Sequence, residues 1–273
     1  MKNKKQLLTA PYIIWIIGFT ILPILILLGY AMVDAEGHFT TEYVLAIFDI
    51  VHLKALWLSI KLSVICTVIC ILLAYPMALC MRKMHLGKQG MMVMIVLVPM
   101  WMNFVLRIMA WQLILSKNGF LNAFLGIFGL HQDWGNSQIA IVIGMVYDYL
   151  PFMILPIYNA VMDVGEDVME AAHDLGANFW EALFRVMIPM TIPGIISGIT
   201  MVFIPALTTF AISDTLGGGK VMLIGNVIEQ EFVSTMNWRL GSGLSIALMI
   251  FALCSMFLAY RTDKSADLSG MSL

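Results

Sequence analysis

The chain has 273 residues, of which 61% are hydrophobic and 12% charged, with a formal net charge of −2. Soluble domains carry about 45–50% apolar and ~25% charged residues, so this composition excludes a soluble enzyme and a disordered chain. With no basic excess to hold phosphates, it also excludes a nucleic-acid binder.

In chain order, six segments are apolar over the roughly 20 residues that a helix needs to cross a ~30 Å bilayer core. They run over about 10–33, 57–81, 90–113, 139–161, 189–213 and 240–260. The runs lack the period-two alternation of barrel strands, so helices must satisfy the backbone in lipid. Lys2, Lys4 and Lys5 precede the first run, which is too long for the ~7–15-residue core of a secretory signal and reads as an uncleaved span. The expected fold is an all-α integral membrane protein, a single transmembrane domain over 1–273. Six spans put both termini on one side. That side carries nine lysines and arginines against four on the other, which makes both termini cytoplasmic. Cys66, Cys70, Cys80 and Cys254 all lie in apolar runs and read as small hydrophobes. His38, His52, His85, His131 and His173 have no ligand spacing, so neither a metal site nor a cofactor is expected.

Two lone charges interrupt the spans. Asp148 stands about nine residues into the fourth, roughly 13 Å deep at ~1.5 Å per residue. A carboxylate at that depth is expensive and faces a cavity or a partner. Either it lines a cation pathway, with Tyr147 and Phe152 beside it, or it forms a salt bridge, to Arg107 or to a paired subunit. Arg107, in the third span, has a structural or gate-pairing role. Asp214 ends the fifth span on the outer side, where it either meets an incoming cation or solvates a loop end. Aromatic faces can hold ammonium groups through cation–π contact.

The inner loop between the fourth and fifth spans, 162–188, reads as two short helices. Asp163 and Glu166 form an Asp-x-x-Glu pair that predicts a helix starting at Val164. Gly176 is placed to end it in a left-handed conformation. Asn178 and Glu181 form a second capping pair, and Pro189 stops the second helix or opens the fifth span. Glu166, Glu170 and Asp174 are spaced by four and make one acidic stripe, which repels itself and gains the isolated helix nothing. Ala171 and Ala172 give a low-relief face. Phe179, Trp180, Leu183 and Phe184 form an apolar face suited to the membrane interface or the inner helix ends.

Glu170-Ala171-Ala172, then Gly176, nine residues, and Val186-x-Ile188-Pro189 closely resemble the cytoplasmic E-A-A-x-x-x-G…I-x-L-P loop of binding-protein-dependent ABC-importer permeases. Val186 and Ile188 are conservative departures from that pattern. Beyond the loop, 98-VPMWMNFVLRIMAWQLILSKNGFLN-122, 147-YDYLPFMILPIYNAV-161 and 212-ISDTLGGGKVMLIGNVIEQEF-232 are most similar to the B-type permease subunit of spermidine/putrescine importers. The resemblance implies a six-helix type I importer fold in the inner membrane. It implies that Glu170, Ala171, Ala172, Asp174, Gly176, Ala177, Ile188 and Pro189 belong to a coupling loop docking on a separate ATP-binding subunit through 163–188. It also implies a second permease, an extracytoplasmic solute-binding protein and a polyamine substrate that crosses the bilayer by alternating access. Gly194 and Gly198 form G-x-x-x-G, a close-packing motif, for which the second permease is a candidate partner.

The chain itself has no ATPase motif. In 217-GGGKV-221 a phosphate loop would need glycine where Asp214 stands and Ser or Thr where Val221 stands, so a flexible turn is expected. The alternatives are the same machine carrying an organic cation or an iron complex, and a stand-alone secondary transporter.

Overall fold

The computed structural model describes residues 11–84, 86–127 and 134–270; Lys2, Lys4, Lys5, His85 and His131 lie outside them. The described chain is helical. Its elements are α1 (Pro11–Met32), α2 (Ile50–Arg82), α3 (Leu86–Leu97), α4 (Phe104–Leu115), α5 (Phe120–Gly126), α6 (Gln138–Asp163), α7 (Glu166–Asp174), α8 (Phe179–Met190), α9 (Ile192–Thr208), α10 (Ala211–Gly217), α11 (Ile224–Val233) and α12 (Trp238–Gly270). Among the described residues, four helices are long and apolar enough to cross a membrane: α1, α2, α6 and Trp238–Ala259 of α12. The number is six if each of two bent pairs counts as one span.

The bent pairs are where an apolar run conceals a break. The third run does not continue as one helix. Gly90–Trp101 and Phe104–Gly126 meet at 87°. Pro99 sits in a 3₁₀ turn, and Met102 is extended (ψ 146°). The Asn103 side chain then accepts from Val105 N and Leu106 N at 2.9 and 3.3 Å, satisfying donors that a helix start leaves free. The fifth run also departs from a single helix. α8 and α9 meet at 65° around Thr191, and α9 ends at Thr208 rather than reaching Ser213.

The chain divides into two compact units, residues 1–54 with 227–253 and residues 55–226 with 254–273. In the first unit, the best 18-residue window of α1 has mean hydropathy 2.5 and no buried residue, as lipid-facing helices have. After α1 the chain turns at Gly37 (φ +89°), closed by a Val33–Phe39 bridge. The start of α12 is fastened to this region: Arg239 Nε donates to Val33 O at 3.2 Å. Gly243 lies so close to the Tyr43 carbonyl that a Cβ would approach its oxygen to 2.3 Å.

In the second unit, α2, α6 and α9 supply the core. Leu62, Cys66, Cys70, Ala74 and Ala78 recur every fourth residue on α2 and are buried, the spacing that places side chains on one helix face. Of the four cysteines, these two are buried and Cys80 and Cys254 are exposed. The G-x-x-x-G partner is α6 of this same chain. A Cβ at Gly194 would meet Ala160 Cβ at 2.4 Å and Pro156 O at 2.7 Å, and one at Gly198 would meet Met153 Sδ at 2.6 Å. The motif is therefore filled within the chain and leaves no such face for a second subunit.

The end of this unit that carries α10 rests on buried polar contacts. The Asn226 Oδ1 accepts from Ser213 Oγ at 2.5 Å and Leu223 N at 3.1 Å, and Asn226 Nδ2 donates to Phe210 O at 3.1 Å. Ser59 Oγ accepts from Ile224 N at 2.8 Å. These bonds hold α10, on whose first turn Asp214 stands exposed. Gly218 and Gly219 take positive φ (+55° and +71°) and end α10. A Cβ at Gly218 would lie 2.1 Å from Asn136 Oδ1, so the glycines permit a close approach as well as a turn.

Candidate functional site

The 162–188 segment has the predicted two helices with one displaced boundary. The Asp163–Glu166 cap does not form. α6 continues through Asp163, and α7 starts at Glu166 behind Gly165, which offers no capping side chain. The physical reason is that Asp163 is still helical, so its side chain belongs to the end of one helix rather than to the start of the next. The joint between the two helices is only Val164 and Gly165, both extended (ψ 111° and 151°).

The other end of α7 is as expected. Gly176 has φ +88°. Ala177 N donates to Ala172 O at 3.0 Å and Gly176 N to His173 O at 2.9 Å, the paired bonds of a Schellman cap. His173 Nδ1 lies 2.9 Å from Ala177 O. Asn178 and Glu181 then form a full capping box, each side chain accepting from the other residue's backbone N at 3.0 Å.

α7 is exposed along its length, with only Met169 and Ala172 half-buried. Glu166, Glu170, Ala171 and Asp174 are exposed, and Leu175 is 90% exposed; Glu166 and Glu170 also border the cavity beneath the helix. A leucine so exposed beside an acidic stripe is a surface that a partner can cover. Below α7 lies a cavity of about 610 Å³, lined among others by Tyr75, Leu79 and Arg82 of α2, Met169 of α7, and Trp180 and Leu183 of α8. Phe179, Trp180 and Phe184 are exposed; Phe179 meets Trp180 edge-on and Trp180 stacks on Phe184, while Leu183 is buried. Ile188 and Pro189 lie just before the bend at Thr191.

The second constellation is at Asp148. Of the two partners considered from sequence, Arg107 is the one found: Arg107 Nε and Asp148 Oδ1 are 2.5 Å apart, and both residues are buried. Arg107 Nη1 also donates to Pro99 O at 2.9 Å. Its guanidinium lies 5.9 and 5.8 Å from the ring centres of Phe104 and Tyr147, and Trp111 meets Tyr147 edge-on at 5.3 Å. One arginine thus joins both arms of the α3–α4 bend to α6. Phe152 stands one turn from Asp148 and is partly exposed. No hydrogen bond or ion pair links Asp214 to Asp148, Tyr147 or Phe152 among the described residues.

Three side chains near α7 carried no functional signal in the sequence. Arg82 Nη1 donates to Val161 O at 2.6 Å and Nη2 to Gly165 O at 3.5 Å. Tyr75 and Thr191 share a hydrogen bond of 2.9 Å, and Thr191 Oγ1 donates to Met187 O at 2.9 Å. Arg82 was visible only as one of the inner basic residues.

A family model described as "Binding-protein-dependent transport system inner membrane component" matches residues 64–266. The spermidine/putrescine transport system permease protein PotB of Haemophilus influenzae is 38% identical, over 97% of this chain and 96% of that protein. PotB of Escherichia coli K12 is 32% identical, over 92% of this chain and 94% of that protein. In fold, the chain is similar to a chain of the bacterial alginate ABC transporter solved with its alginate-bound periplasmic protein, with TM-score 0.80, 18% identity and 96% of each chain covered.

Proposed function

The chain belongs to the family of binding-protein-dependent transport system inner membrane components, and from that premise we propose that it passes polyamines such as spermidine and putrescine inward as the translocation subunit of an ATP-driven importer. The solute is the one named for the two relatives at 38% and 32% identity. ATP hydrolysis resides on a separate subunit. A second permease completes the pathway, and a solute-binding protein delivers the polyamine from outside. Both termini and the α7 loop face the cytoplasm, as the excess of basic residues on that side requires.

The observation that carries the docking role is the exposed, rigidly capped α7. Its Schellman cap fixes the helix end, while Leu175, Ala171 and the Glu166–Glu170–Asp174 stripe are exposed. Glu170, Ala171, Ala172, Asp174, Gly176 and Ala177 form the face that meets the ATPase, and Ile188 and Pro189 lead its movement into α9. On the solute side, Tyr147, Asp148, Phe152 and Asp214 line the path. The Arg107 guanidinium occupies the Asp148 carboxylate in this structure. A polyamine ammonium and that guanidinium are alternative partners for one carboxylate, and the Tyr147 ring can face either.

The test is uptake of labelled putrescine and spermidine into proteoliposomes holding the purified assembly, with unlabelled polyamine, choline and ferric citrate as competitors. Competition by polyamines alone supports the reading. Competition by another solute transfers the machine to that solute, and uptake driven by an ion gradient without ATP overturns the ATP-driven assignment.

A further inference from the structure

We infer that Arg82 and Tyr75 are positioning residues that fasten both roots of the α7–α8 loop to α2, so that force applied to α7 moves α2 together with α6 and α9. The inference rests on the proposed docking of α7 on an ATPase, and adds to it the route by which the movement leaves the loop.

α7 has almost no packed floor. It is exposed except at Met169 and Ala172, and the cavity of about 610 Å³ separates it from α2. Its position is therefore set at its two roots. The first root is the extended Val164–Gly165 joint, which has no side-chain cap of its own. There the Arg82 guanidinium reaches from the end of α2 to Val161 O in the last turn of α6 and to Gly165 O in the joint itself. Val161 O is among the last carbonyls of α6, which lack a partner within the helix. A guanidinium, with planar divergent donors, can bridge two such acceptors where an ammonium is a single point. Arg82 Nη1 also lies 3.6 Å from Met187 Sδ, near the far end of the loop.

The second root is the bend at Thr191, which is fully buried. The Thr191 hydroxyl spends its proton on Met187 O, so the Tyr75 hydroxyl donates to Thr191 Oγ1. Tyr75 and Arg82 are seven residues apart on α2, two turns along one face. One face of α2 thus holds the entry and the exit of the loop. With both ties intact the loop cannot pivot independently, and a push on α7 is delivered to three core helices at once.

The experiment reconstitutes the complete wild-type assembly in proteoliposomes and reads putrescine taken up per ATP hydrolysed. Arg82→Ala is expected to retain membrane insertion, ATPase association and ATP hydrolysis while uptake per ATP falls about tenfold, the weight of one charge-assisted hydrogen bond. Arg82→Lys recovers part of the loss, since it keeps the charge and loses the fork. Tyr75→Phe removes one hydroxyl and keeps the buried ring, so it folds even if Arg82→Ala does not, and lowers uptake per ATP several-fold. Unchanged uptake per ATP in both Arg82→Ala and Tyr75→Phe, or a fall in uptake and hydrolysis together in proportion to assembled complex, overturns the ties. A wild-type assembly without an ATPase, read before any variant, overturns the docking reading beneath them.

Discussion

Gly176 offers the sharpest perturbation of the α7 loop, because its backbone angle and its surroundings make opposite demands. Its φ is +88°, yet a Cβ there would find nothing within 4 Å. Substitution therefore costs backbone strain alone. For an L-residue that strain is about 1–2 kcal/mol, more when β-branched. If the chain escapes the strain by leaving the left-handed region, it forfeits the two cap bonds to His173 O and Ala172 O, each worth about 1 kcal/mol. Either way about 2 kcal/mol is set against the capped state, a shift of roughly thirtyfold in its population at 1.4 kcal/mol per decade. The loop is exposed, so membrane insertion and yield in detergent should hardly change. Gly176→Val should reduce ATP-driven uptake at least tenfold. Gly176→Ala should fall between, and Gly176→Asn should stay close to wild type because asparagine tolerates this region. Uptake by the reconstituted variants, normalised to inserted protein, is the assay. Wild-type uptake in Gly176→Val, or a loss that ignores the order Asn, Ala, Val, refutes the reasoning.

Other perturbations probe the rest of the structure. Asp148→Asn leaves the buried Arg107 without its counter-charge, a loss of about 3–5 kcal/mol, so thermal stability in detergent should fall. Arg107→Met combined with Asp148→Leu should restore stability and leave polyamine uptake impaired; full recovery of uptake would make the pair purely structural. Gly194→Ala drives a Cβ onto Ala160 Cβ and the Pro156 carbonyl, whereas Gly198→Ala meets the flexible end of Met153. Overpacking costs about 1–3 kcal/mol, so the first should lower the melting temperature more than the second. Asn103→Ala removes the cap at the α3–α4 bend, and about 1 kcal/mol of stability should go with it, measured by thermal unfolding with fluorescence detection.

What the sequence disclosed and what it hid follow from the range of each interaction. Charge-free runs are local, so the helices α1, α2, α6 and α12 were visible from composition alone. The breaks at Met102–Asn103 and at Thr191 were not, because a hydropathy average passes smoothly over two residues whose backbone turns; Pro99 and Asn103 were the available signals. Asn178, Glu181 and Gly176 announced their caps because the side chains, or the lack of one, do the capping. The Asp163–Glu166 pair imitated that pattern, while the true boundary at Gly165 has no side chain to announce it. Arg107 and Asp148 were each the lone charge in an apolar run, and lone charges in lipid seek each other. Arg82 found backbone carbonyls on α6 and at Gly165, and carbonyl acceptors are the same at every residue of a sequence.

The most direct test of the central claim, a permease driven by a separate ATPase, is to recover the tagged chain from native membranes in mild detergent and identify what accompanies it by mass spectrometry. An ATP-binding subunit and a second permease are expected in stoichiometric amounts, with the ATP-binding subunit lost on substitutions at Glu170 and Leu175. A folded chain that repeatedly comes out alone would contradict it.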